Sequence, residues 1–87
     1  MYKVEISEKT LNNLKQLDKL IARMILAWIE KHLEKTDNPR IQGKGLSHGK
    51  KGIWRYRVGN YRILANIEDE RLVILLIDFD HRKEIDK

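Results

Sequence analysis

The sequence predicts an α+β fold in which a strand is followed by an αα-hairpin and then an antiparallel β-meander. Three observations carry it. Tyr2, Val4 and Ile6 alternate with Lys3 and Glu5, the period of a strand with one buried face. Apolar residues from Leu11 to Leu33 recur at helical spacing. Beyond Gly52, three β-rich runs, Ile53 to Val58, Tyr61 to Ile67 and Leu72 to Ile77, are separated by Gly59-Asn60 and Asp69-Glu70. With 87 residues the chain can bury one core, so residues 1–87 read as a single domain.

Each element has a local reason. Ser7 before Glu8 is a helix start, because the hydroxyl can accept from an orphan amide and the carboxylate suits the positive end of the dipole. Leu11, Leu14 and Leu17 mark the stripe of this first helix. Asp18 reads as a second N-cap, and Ile21, Met24, Ile25, Trp28, Ile29 and Leu33 form the apolar face of the helix it opens. Asp37-Asn38-Pro39 is the expected stop, since proline disfavours helical geometry in the residue before it. Arg40 to Gly52 reads as an irregular basic connection. Its Gly43-Lys44-Gly45 lacks the spacing and Lys-Ser/Thr ending of a phosphate-binding P-loop. Gly59-Asn60 is a hairpin turn of two residues.

Charge points to the partner. From Asn38 to Ile67 there is no acidic residue, yet Arg40, Lys44, Lys50, Lys51, Arg55, Arg57 and Arg62 fall in this stretch with His48. A net charge of +5 concentrated in this way implies a positive field suited to a polyanion, most commonly nucleic acid. Cysteine is absent, which excludes a disulfide framework or a thiolate zinc site. The 41% hydrophobic and 36% charged composition is that of a soluble globular domain. The first residues lack the apolar core of a signal peptide, so a cytoplasmic location is expected.

Hairpin register sorts the side chains. A two-residue turn at Gly59-Asn60 sets Val58 against Tyr61, Arg57 against Arg62, Tyr56 against Ile63, Arg55 against Leu64 and Trp54 against Ala65. Trp54, Tyr56, Val58, Tyr61, Ile63 and Ala65 then share an apolar face, and Arg55, Arg57 and Arg62 share the other. Like charges placed directly across a hairpin cost a few tenths to about 1 kcal/mol. Bound phosphate removes that repulsion, and guanidinium groups grip phosphate bidentately. Lys44, Lys50 and Lys51, beside such a face, are placed to track a nucleic-acid backbone. Trp28, Trp54, Tyr56 and Tyr61 lie on apolar faces and read as core, and His32 as surface. His48 and His81 have no partner at metal-ligand spacing, so no metal site is expected. His81, beside Arg82 just after the last strand, has an ordinary pKa suited to proton transfer near neutrality.

With Asp69-Glu70 as a tight turn, Leu72, Ile74 and Leu76 face the core. Val73, Leu75 and Ile77 then join Leu64 on the arginine side, an apolar strip next to a basic patch. Such a strip marks a protein interface.

Leu46 with its following lysines, Gly52-Ile53-Trp54-Arg55-Tyr56-Arg57-Val58-Gly59-Asn60-Tyr61-Arg62 and His81-Arg82-Lys83-Glu84-Ile85 closely resemble the RelE branch of the RelE/ParE toxin superfamily, over nearly the whole chain. The resemblance implies the toxin of a type II toxin–antitoxin pair, a ribosome-dependent endoribonuclease that cuts mRNA in the A site without metal or other cofactor. The RNA 2′-hydroxyl attacks the adjacent phosphate, leaving a cyclic phosphate and a free 5′-hydroxyl. Implied partners are mRNA on the ribosome, with contacts to 16S rRNA, and a cognate antitoxin, for which Leu64, Val73, Leu75 and Ile77 are the candidate surface. Arg55, Arg57, Arg62 and Arg82 match the family's basic site positions. Since arginine stays protonated, the proton must be taken by His81, His48 or a lysine of depressed pKa. One departure stands out, Asp86 where the family has tyrosine, which sets a negative charge beside the scissile phosphate. Two other readings follow: a weakened or inactive relative that still binds antitoxin or ribosome, and a ParE-like inhibitor of DNA gyrase.

Overall fold

The computed structural model of the chain describes residues 1–45 and 53–81. Its elements are β1 (Lys3–Ile6), α1 (Glu8–Lys15), α2 (Lys19–His32), β2 (Lys44–Gly45), β3 (Ile53–Val58), β4 (Tyr61–Glu68) and β5 (Val73–His81). The strands form one sheet in the order β1-β5-β4-β3-β2. β1 runs parallel to β5 and every other pairing is antiparallel. The α+β class therefore holds. The predicted meander is the middle of a larger sheet, extended at one edge by β1 and at the other by the two residues of β2.

Both helix starts form as the sequence requires. The Ser7 hydroxyl accepts from the Thr10 amide at 3.2 Å, and the Asp18 carboxylate accepts from the Leu20 amide at 2.9 Å. The buried stripe of α1 differs from expectation, and the helix ends at Lys15, before Leu17. Thr10 and Leu14 are buried while Leu11 is 42% exposed. A threonine is tolerated inside because its side chain is satisfied: the Ser7 hydroxyl donates to it at 2.9 Å.

The second helix stops well before Pro39. Leu33 is its C-cap, and Lys35 takes a left-handed φ of 65°. That turn lets the chain bond to β1's leading residue: the Lys35 amide donates to the Tyr2 carbonyl at 2.9 Å, and the Tyr2 amide donates to the Thr36 carbonyl at 2.8 Å. Tertiary bonding, rather than proline, ends the helix. Leu14, Ile25, Ile29 and Leu33 from the helices pack on Tyr56, Val58, Ile63, Ala65, Ile74 and Leu76 from the sheet. One sheet face is thus covered, and the other carries the arginines.

The last strand corrects the sequence reading in three ways. The β4–β5 connection is four residues, 69–72, not a tight turn at Asp69-Glu70. Leu72 closes it with a φ of 55° and is 43% exposed rather than in the core. β5 runs on to His81, and a β-bulge shifts its phase: Ala65 pairs with Leu76, but Leu64 pairs with Asp78. Ile77 is the extra residue. Without it, uninterrupted alternation from Ile74 and Leu76 would send Asp78 toward the core. With it, Phe79 comes opposite Ile63 and packs against the core, its ring 6.4 Å from that of Tyr61. The Asp78 carboxylate accepts from the Phe79 amide at 2.8 Å and from Lys9 of α1 at 3.2 Å.

Candidate functional site

The β3–β4 hairpin forms in the predicted register, with Arg57 opposite Arg62 and Arg55 opposite Leu64. Tyr56, Val58, Ile63 and Ala65 are buried on its inner face. Arg55 and Arg62 are half-buried and Arg57 is exposed on the outer one. Lys44 of β2 pairs with Arg55, so four cations stand on adjacent strands of one face. Gly43, Lys44, Arg55 and Arg57 line a depression of about 270 Å³. A concave surface lined by three cations beside a glycine, which allows close approach, can seat a phosphate group.

Lys44 reaches this place because the segment before it is fastened to the inner face of β3. The buried Tyr56 hydroxyl donates to the Pro39 carbonyl at 2.7 Å, and the Trp54 indole N–H donates to the Gln42 carbonyl at 2.6 Å. Desolvation by burial holds the Tyr56 hydroxyl far above the ordinary tyrosine range, so it stays a donor. Gly43 adopts a φ of 81° and lies so close that a Cβ there would fall 2.3 Å from the Arg55 carbonyl oxygen. Trp54 is accordingly not a plain core residue. It is half-buried, with the Arg40 guanidinium 5.9 Å from its ring centroid.

Arg40 itself leaves the anion-binding block. Its guanidinium donates to both Asp69 carboxylate oxygens at 3.1 Å, and the same carboxylate accepts from the Tyr2 hydroxyl at 2.6 Å. The Arg40 hydrogen bond, with that of Tyr2, holds the Asp69 carboxyl below its usual range. Three distant segments meet in this cluster, which the sequence did not disclose, because the sheet brings Asp69 to the start of the basic block.

The remaining predicted residues divide. Val73 is buried rather than part of an exposed strip, whereas Leu64, Leu75 and Ile77 are half-buried. Register sets Val73 between Lys3 of β1 and Glu68 of β4. The Arg71 guanidinium donates to Glu68 at 2.5 Å and to Glu5 at 3.4 Å, bridging the two strands across β5. His32, expected at the surface, is half-buried with its ring centroid 4.7 Å from that of Trp28. His81 is the last residue of β5, not beyond it, and its backbone pairs with Tyr61, while Asp80 pairs with Arg62. His48, Lys50, Lys51, Arg82 and Asp86 lie outside the described residues.

A family model described as the ParE toxin of the type II toxin–antitoxin system parDE matches residues 4–86. Among solved structures, the chain is similar to one in the RelBE2 toxin–antitoxin complex from Mycobacterium tuberculosis, with 27% identity and a TM-score of 0.82, covering 93% of this chain and 91% of that one. It is similar, at 26% identity and a TM-score of 0.73, to one in the archaeal RelE–RelB complex from Pyrococcus horikoshii OT3, covering 93% and 94%. The isolated RelE toxin of E. coli shares the fold at 19% identity and a TM-score of 0.74, covering 93% and 84%. No curated protein sequence matches the chain significantly.

Proposed function

The chain belongs to the ParE toxin family of type II toxin–antitoxin systems and has the fold of RelE toxins, and from that premise we propose that it cuts mRNA on the ribosome by attack of an RNA 2′-hydroxyl on the adjacent phosphate. The observation that carries this reading is the row of Lys44, Arg55, Arg57 and Arg62 on the sheet face that the helices leave open. Donors fixed on strands before substrate arrives can stabilise the extra negative charge of a pentacoordinate phosphorane, at a few kcal/mol for each well-placed group. Arg55 and Arg57 at the depression are assigned to the scissile phosphate, with Arg62 and Arg82 gathering its neighbours. His81 is assigned proton transfer, a role that arginine cannot fill. The proposed partner in the resting state is a cognate antitoxin, as in the RelB complexes of the similar structures.

The test is a translating extract supplied with the chain, its Arg57→Ala variant and its Asp86→Tyr variant, with mRNA ends mapped and supercoiled DNA present. Cut mRNA bearing a free 5′-hydroxyl, reduced at least about a hundredfold by Arg57→Ala, supports the reading; that factor corresponds to about 2.7 kcal/mol. Asp86→Tyr, which restores the residue of the similar family and removes a negative charge, raises cleavage about tenfold. Uncut mRNA overturns the nuclease reading: if translation stalls or nothing changes, the chain is a binding-only relative, and if cleaved DNA accumulates, a gyrase inhibitor.

A further inference from the structure

Strand β3 does two jobs by alternation. Its even-numbered residues Trp54 and Tyr56 hold the segment 39–42 through their indole and hydroxyl donors, while its odd-numbered residues Arg55 and Arg57 line the depression. The held segment then turns through Gly43 and arrives at the depression as Lys44. Among the described residues β2 is two residues long, so the β2–β3 ladder described there supplies few bonds to fix that lysine. Lysine also carries large rotamer freedom and a mobile point charge, which makes its backbone anchor decisive. Two of the contacts are close. The Trp54–Gln42 bond is 2.6 Å, and at Gly43 a Cβ would also meet the Trp54 indole nitrogen at 2.8 Å.

We propose that Trp54 is a positioning residue for anion binding: its indole N–H, by holding the Gln42 carbonyl, fixes Lys44 over the depression lined by Arg55 and Arg57. Trp54 touches no substrate in this scheme, and its contribution passes entirely through Lys44. The inference rests on the reading of this face as a site for RNA, and it adds a specific dependency within it. Phenylalanine lacks the donor and so removes the anchor, while its ring keeps part of the packing. Trp54→Phe therefore separates the two roles of the side chain.

The experiment is a double-mutant cycle on binding of a short single-stranded 2′-O-methyl RNA, which lacks the attacking hydroxyl and is not cut. Lys44→Ala weakens binding about tenfold, as for one lost charge-assisted contact, and lowers the salt slope by about 0.7. Trp54→Phe gives a similar loss and a similar change of slope, and the double variant binds no more weakly than either single one. Gly43→Ala, which displaces the same segment from outside the core, behaves alike. If Trp54→Phe and Gly43→Ala bind as the parent does, or if the losses multiply with that of Lys44→Ala, the inference is overturned, and a loss on Arg57→Ala in the same assay leaves the RNA reading standing. Parent-like binding by Arg57→Ala and Lys44→Ala overturns both.

Discussion

Arg57 and Arg62 are cross-strand partners one pair in from the Gly59-Asn60 turn of the β3–β4 hairpin, so two like charges occupy positions where most sheets place opposite or neutral ones. The hairpin accepts the repulsion because the other face of the same residues' strands is buried: Tyr56, Val58 and Ile63 fix the register at 3% exposure or less. Packing decides the geometry, and charge follows it.

This pairing predicts that Arg57→Ala leaves the fold intact and raises its stability by a few tenths to about 1 kcal/mol. Urea unfolding at low salt reads it. Added inorganic phosphate should stabilise the parent more than the variant, since only the parent keeps the full anion site. A lower midpoint for Arg57→Ala would show that the side chain is structural.

Val73 and Leu75 lie two residues apart on one strand face, but their substitutions should separate. Val73→Lys buries a charge whose cross-strand neighbour Glu68 is already paired with Arg71, and should cost about 3 kcal/mol or more. Leu75 is half-buried with Glu5 as its neighbour on β1, so a lysine there has both solvent and a carboxylate. Leu75→Lys should fold and bind the cognate antitoxin at least about tenfold more weakly, a loss typical of an interface contact worth over 1 kcal/mol. Unchanged antitoxin affinity would remove this strip from the interface.

The Asp69 cluster predicts a pH window. Its carboxyl, held down first by the Arg40 hydrogen bond, contributes above the ordinary carboxylate pKa of about 4 and loses that contribution as pH falls through its lower folded value. The Tyr2 hydroxyl, raised first by its bond to Asp69, contributes below about 10 and loses it as pH rises through its higher folded value. The groups are exposed, so the effect on global stability is small and the readout is local. In a Trp28→Phe background, Trp54 emission should be flat between those limits and shift in acid. Asp69→Asn should abolish the acid shift.

Tyr56→Phe removes the donor to the Pro39 carbonyl and leaves that buried acceptor unsatisfied, at a cost of about 1–3 kcal/mol. The urea midpoint should fall with its slope unchanged. An unchanged midpoint would mean that another donor reaches Pro39.

What the sequence disclosed and what it hid follow from the range of the forces involved. Ser7, Asp18 and Gly59-Asn60 act on neighbours a few residues away, and the helix starts and hairpin register they imply are present. The cation face followed from that register alone. The end of α2 and the Asp69–Arg40–Tyr2 cluster depend on which segments the sheet brings side by side. The bulge at Ile77 rests on the competition between Phe79 and Asp78 for the core, which strict alternation does not reveal. The burial of Val73 is hidden for a similar reason, because it depends on the strands that the sheet sets on either side of it.

The parallel pairing of β1 with β5 bears on synthesis. Tyr2 and Asp69, which meet beside it, are 67 residues apart in the chain, so this contact closes most of the polypeptide into one loop. β5 also lies between β1 and β4, and until it has been made the first strand has no neighbour to join. A nascent chain can form the helices and the β3–β4 hairpin early, since both are local, but the sheet closes only after β5 has been made. The arginine row of β3 and β4 is therefore made before the strand that joins β1 to the rest of the sheet.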